Sequence, residues 1–152
     1  MRKRLRHLLI ALVAVLAVPA LASEWETVGG KREIHYRIFQ DESAMLDIAC
    51  SVNLRVLLGA TFQSNRAGFT RNFAIYIDDV PTPNYLNPET PPKHRADFYR
   101  FWNKLKNAKK LVIEANGYKY NISTDNLKEQ LPETYDTTFM CRPITTDGLL
   151  IP

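Results

Sequence analysis

The sequence predicts an α+β domain: a mainly antiparallel β-sheet, one packed amphipathic helix, a short C-terminal helix and one disulfide. Three observations carry that expectation. Several segments alternate apolar and polar residues with a period of two, and residues 95–108 repeat their apolar positions with a helical period. Asn116-Gly117 then joins two β-rich runs, the dipeptide that a type I′ hairpin turn favours.

Taken in order, residues 33–39 (EIHYRIF) put Ile34, Tyr36 and Ile38 on one face and Glu33, His35 and Arg37 on the other. That is the pattern of a half-buried strand. Residues 45–52 (MLDIACSV) and 54–62 (LRVLLGATF) read as two strands with a tight turn near Ser51–Asn53, or as one long bent strand. Residues 64–68 are turn-like, and residues 72–78 form a further strand with Phe73, Ile75 and Ile77 on one side. Residues 80–94 hold five of the nine prolines, a density that points to an extended loop rather than a helix or a ladder. In the helix that follows, Phe98, Phe101, Trp102 and Leu105 make one apolar stripe. Lys104, Lys106, Lys109 and Lys110 gather at its C-terminal end, where positive charge suits the helix dipole and a solvated surface is the ordinary reading. Residues 111–115 and 118–122 form the hairpin around Asn116-Gly117. Ser123 or Thr124 can cap a short helix that Pro132 ends.

The start of the chain has a different grammar. Residues 1–7 (MRKRLRH) carry four Lys/Arg and no acid, residues 8–18 are wholly apolar, and Ala20 and Ala22 supply small residues at a cleavage position. Residues 1–22 therefore read as a cleavable secretory signal of compact, bacterial type. The apolar stretch is about half of the roughly 20 residues that span a bilayer, so no stable membrane anchor is expected after cleavage. Residues 23–152 then form a single domain of ordinary size, periplasmic or secreted.

Removing the signal changes the electrostatics. Four of the 20 basic residues (Arg2, Lys3, Arg4, Arg6) leave with it, and the remaining 16 balance 16 acids. The basic character of the whole chain belongs to the targeting segment, so nucleic acid is not expected as a partner. Cys50 and Cys141 both remain and are expected to pair in an oxidising compartment. A loop of that length gives a link of about 4–5 kcal/mol in the chain-entropy model.

Reaction chemistry is sparse. The exported part has two histidines, His35 and His94, far apart in sequence, and Asp78-Asp79 read as turn-forming acids. No serine nucleophile elbow, Walker loop or paired zinc-ligand motif occurs, so no catalytic residue, metal or cofactor is assigned. Asn121-Ile122-Ser123 fits the N-glycosylation pattern, which matters only in a eukaryotic secretory route. The proline-rich loop is the most suggestive segment. Its fixed backbone loses less entropy on meeting a partner, and Asn84, Tyr85, Asn87 and Lys93 are the expected contact residues.

The landmarks resemble one family. A strand ending in Cys (LDIAC, 46–50) precedes a strand ending in Asp (IYIDD, 75–79) and a helix running into a strand (FWNKLKNAKKLVIE, 101–114). A strand leading to a short helix (YNISTDNLKEQL, 120–131) and the closing Cys141 complete the series. Over residues 38–141 this is similar to exported accessory proteins encoded with bacterial type VI secretion clusters. The resemblance implies a role exercised by contact with another protein and brings no catalytic residues.

The first expectation is thus an exported binding protein, an inhibitor, immunity protein or secretion accessory, whose partner is another envelope or secreted protein. An envelope hydrolase using Asp78 or Asp79, and a structural or oligomerising envelope component, are the alternatives.

Overall fold

The structure, a computed structural model, describes residues 23–40, 44–52, 58–143 and 151–152; residues 1–22, on which the reading of a secretory signal falls, lie outside them. Five antiparallel strands run as a meander: β1 (Trp25–Gly29), β2 (Glu33–Phe39), β3 (Met45–Ser51), β4 (Leu58–Ser64) and β5 (Gly68–Thr70). A second antiparallel sheet follows in the order β7-β6-β8-β9, built from β6 (Ala74–Ile77), β7 (Val80–Thr82), β8 (Leu111–Ala115) and β9 (Tyr118–Ile122). Helix α1 (Arg95–Lys106) enters between β7 and β8, and a single turn, α2 (Leu127–Gln130), follows β9. The α+β expectation holds.

Period-two alternation fixes which face of the first sheet is buried. Tyr36, Ile38, Leu46, Ile48, Cys50, Ala60 and Phe62 turn inward and are all buried. On that face Tyr36 meets Trp102 of α1 edge-on, with centroids 5.9 Å apart. Phe62 contacts both Phe73 before β6 (6.3 Å) and Tyr120 of β9 (4.8 Å). One core therefore joins both sheets and the helix. The whole expected stripe of α1, Phe98, Phe101, Trp102 and Leu105, is buried in it.

Several boundaries differ from expectation, each for a local reason. Cys50 pairs with Leu58, so β3 and β4 are two strands whose connection is longer than the expected tight turn; residues 53–57 lie outside the described residues. The first three residues of the proline-rich segment form β7, which lies at an edge of its sheet. An edge is the place where Pro81, with no N–H to donate, is tolerated in a ladder. The last helix starts later than a Ser123 or Thr124 cap would place it, with Asn126 at its N-cap in the left-handed region (φ 50°).

Asn126 is spent on another task. Its Oδ1 accepts from the Trp25 amide at 2.8 Å and its Nδ2 donates to the Trp25 carbonyl at 2.9 Å. The Trp25 indole donates to the Ser123 carbonyl at 2.8 Å. Edge strand β1 is thereby closed at its start by the α2 region, which blunts it as a pairing template.

The tail after α2 has no long element of its own, yet it is well held. Trp102 donates to the Pro132 carbonyl (3.0 Å), and Phe139 packs against Trp102 (5.3 Å) and Tyr99 (5.9 Å). The buried Lys106 ammonium donates to the Leu131 carbonyl at 2.6 Å and pairs with Glu133 at 3.0 Å. Lys106 thus departs from the solvated helix end that the lysine cluster implied. Cys141 then joins Cys50 in the expected disulfide, linking positions 91 residues apart.

Burial, with a smaller contribution from the charge of Asp136, pushes the Tyr36 phenol up to about 12. In the unfolded chain a tyrosine titrates near ~10. The folded state therefore favours the neutral phenol. The stability this gives is complete below pH ~10 and is lost as pH rises from there through about 12. Tyr36→Phe should flatten that part of the stability–pH curve. Urea unfolding of both proteins between pH roughly 9 and 11.5 checks this, and parallel curves would count against it.

Candidate functional site

Two surfaces stand out, both consequences of where the sheet ends and what faces outward. The first is a cleft at the disulfide end of the five-stranded sheet. Ile34 and Val52 continue the inward-facing rows of β2 and β3 beyond the core, and the disulfide brings residues 137–142 over them. The resulting cavity of about 470 Å³ is lined by Gly30, Lys31, Ile34, Ser51, Val52, Thr137, Thr138, Phe139, Met140 and Arg142. Its apolar contribution comes from Ile34, Val52, Phe139 and Met140. Lys31 and Arg142 supply two positive charges, and among the described residues no carboxylate lines it. Beside it a smaller depression shares Thr137, Phe139 and Arg142 and adds Arg95 and Asp136. The Thr138 amide and hydroxyl both donate to Asp136 and hold its carboxyl below the usual range.

The second surface is the outward face of the same sheet. Register places Phe39, Met45, Gln63 and Phe69 side by side across β2, β3, β4 and β5. Phe39 is 52% exposed and Phe69 62%, so this row presents two aromatic rings to solvent. Beyond Phe69 a groove of about 670 Å³ runs between β5 and the proline-rich loop, lined by Thr70, Arg71, Asn72, Asn87, Pro88 and Glu89.

Further along that face His35 sits between two carboxylates, with Nδ1 at 3.0 Å from Asp47 and Nε2 at 3.1 Å from Glu33. Arg37 adds its charge 3.9 Å from Asp47. The two acids take the ring from opposite sides and do not converge on one point. Among the described residues, no group of three His, Cys, Asp or Glu side chains is placed to hold a metal ion.

The acids weighed for catalysis serve the turn between β6 and β7. Asp78 (φ 50°) and Asp79 (φ 67°) are its two residues. Asp78 Oδ1 accepts from the amides of Lys109 (2.8 Å) and Lys110 (2.9 Å), and Asp79 pairs with the Lys110 ammonium (2.6 Å). His94 is the N-cap of α1, its amide donating to Asp97. Asp78, His35 and His94 thus occupy three separate settings, each with its own partners.

The four expected contact residues divide. Asn84 is buried, its Nδ2 donating to the Phe73 carbonyl at 3.0 Å and its Oδ1 accepting from the Leu86 amide at 3.1 Å. Tyr85 is half-buried and meets Phe101 edge-on at 5.7 Å. Asn87 is buried too, with Oδ1 accepting from the Glu89 amide, yet it also lines the groove beside Phe69. Lys93 is exposed. Buried Leu86 anchors the loop between them.

A faint mark of the outer row is present in the sequence: Phe39 continues the polar side of β2. Phe69 has none, because β5 is only three residues long.

Asn84→Ala should destabilise the protein by about 1–3 kcal/mol, since a buried carbonyl and a buried amide lose their partner. Lys93→Ala should stay within about 0.5 kcal/mol. Urea unfolding distinguishes them; equal, small effects would mean that Asn84 does not hold the loop.

In comparisons with known proteins, no family model, curated protein or solved structure matches the chain.

Proposed function

We propose that this chain is exported and acts in the periplasm or outside the cell as a protein-binding module. It occludes or scaffolds another envelope or secreted protein, as an inhibitor, an immunity protein or a secretion accessory does. The accessory role is the one implied by the resemblance to proteins of type VI secretion clusters. The observation that carries the binding reading is the aligned row Phe39–Met45–Gln63–Phe69 on the outer face of the five-stranded sheet. Neighbouring strands hold these side chains in register, so contact with a partner costs little further ordering. Exposed aromatic side chains are frequent anchors of protein interfaces, and here two of them flank Met45 and Gln63 on one face.

The groove beyond Phe69 extends this surface with polar groups: Arg71 and Glu89 are exposed and of opposite charge, and Asn72 and Asn87 share the lining. An apolar centre with a polar margin is the anatomy of a specific interface. The disulfide supports the compartment, since such links persist where the surroundings are oxidising.

The test is a paired substitution, Phe39→Ser with Phe69→Ser, in protein used to capture partners from an envelope extract after cross-linking. Recovery of the principal partner should fall roughly ten-fold or more, with thermal stability little changed because both rings are exposed. Undiminished recovery by the double variant would remove the outer face from the proposal.

A further inference from the structure

We infer that the cleft beside the Cys50–Cys141 disulfide binds a small amphiphile: a single hydrocarbon chain ending in one anionic head, such as a carboxylate. The inference is separate from the outer-face proposal, because the cleft opens from the inward-facing rows of the sheet and shares none of the aromatic row.

The lining carries the argument. Ile34, Val52, Phe139 and Met140 offer a chain four apolar side chains from three parts of the fold, and Val52 remains 53% exposed at the surface. A hydrocarbon chain placed there removes apolar surface from water on both sides of the contact. A cavity of about 470 Å³ is in the size range of small-molecule sites. Lys31 and Arg142 both line it; among the described residues neither has an ion-pair partner and no acid lies in its lining, Asp136 lining the adjoining depression instead. Two such cations beside an apolar floor select a negative head over a neutral or positive one. Thr137, also in the lining, adds a hydroxyl that can donate to the head.

The site is assembled by the fold rather than by one element. Lys31 and Ile34 come from the β1–β2 hairpin, Val52 from the end of β3, and the remainder from the tail that Cys141 ties down. The two cations therefore reach the cleft from separate segments of the chain.

Methionine methyl groups make the test direct. Met140 lines the cleft, whereas Met45 lies in the outer row and reports on the other surface. The chain, purified with its disulfide formed, is titrated with decanoate below its micelle concentration and followed by methyl NMR. The Met140 signal should shift and saturate while the Met45 signal stays in place. Decanol should bind roughly ten-fold more weakly, and decyltrimethylammonium more weakly again. Lys31→Ala with Arg142→Ala should bring decanoate down to the level of decanol, and an unmoved Met45 signal certifies that the fold persists.

Three results would overturn the inference: a shift of Met45 without Met140, equal binding of decanol and decanoate, or no saturable shift at all. A fourth arm uses an acetylated tripeptide ending in a leucine carboxylate. If it binds as tightly as decanoate, the cleft reads polypeptide termini and the amphiphile assignment fails.

Discussion

The disulfide between Cys50 and Cys141 ties the middle strand of a five-stranded sheet to a tail with no strand or long helix of its own. Along its path the tail receives hydrogen bonds from Trp102 and Lys106, sets Phe139 edge-on against Trp102 and Tyr99, and ends covalently on β3. Tyr36, Trp102 and Phe139 thus form a run of ring contacts from sheet to helix to tail. The tail acts as a strap that presses α1 onto the inner face of the sheet. Without the link, the tail would have to be ordered by a handful of contacts against the full backbone entropy of roughly ten residues.

Both notable surfaces follow from that arrangement. Because helix, second sheet and tail all pack on one side, the other side of the first sheet is left outward, with Phe39 and Phe69 exposed on it. Because the strap ends on Cys50 of β3, it brings Phe139 and Met140 to the same cavity as Ile34 and Val52. The proline-rich loop contributes differently. Its asparagines satisfy buried backbone groups, its leucine is an anchor, and only its margin meets the groove beside β5.

How much of this was legible depends on the range of the signal. The hairpin at Asn116-Gly117 and the stripe from Phe98 to Leu105 were legible because their determinants are local: two positive-φ residues in one case and a helical period in the other. The Cys pair was legible from chemistry. Strand β1 was not, since its inward side offers only one large apolar residue, Trp25, and its position depends on Asn126 a hundred residues away. Pro81 hid β7, which exists because an edge tolerates a missing donor. The cleft was harder still. Its residues are scattered from Gly30 to Arg142, and only the flanking of Cys50 by Val52 and of Cys141 by Met140 and Arg142 hints that the disulfide would gather them.

The strap is best tested by hydrogen exchange on the oxidised chain and on a Cys50→Ser, Cys141→Ser variant, compared segment by segment. Residues 133–143 should exchange about ten-fold faster or more in the variant, while β8 and β9, secured by their own hairpin, should keep their protection. Equal protection of residues 133–143 in both proteins would show that noncovalent contacts alone hold the tail, and the disulfide would lose its place at the centre of the fold.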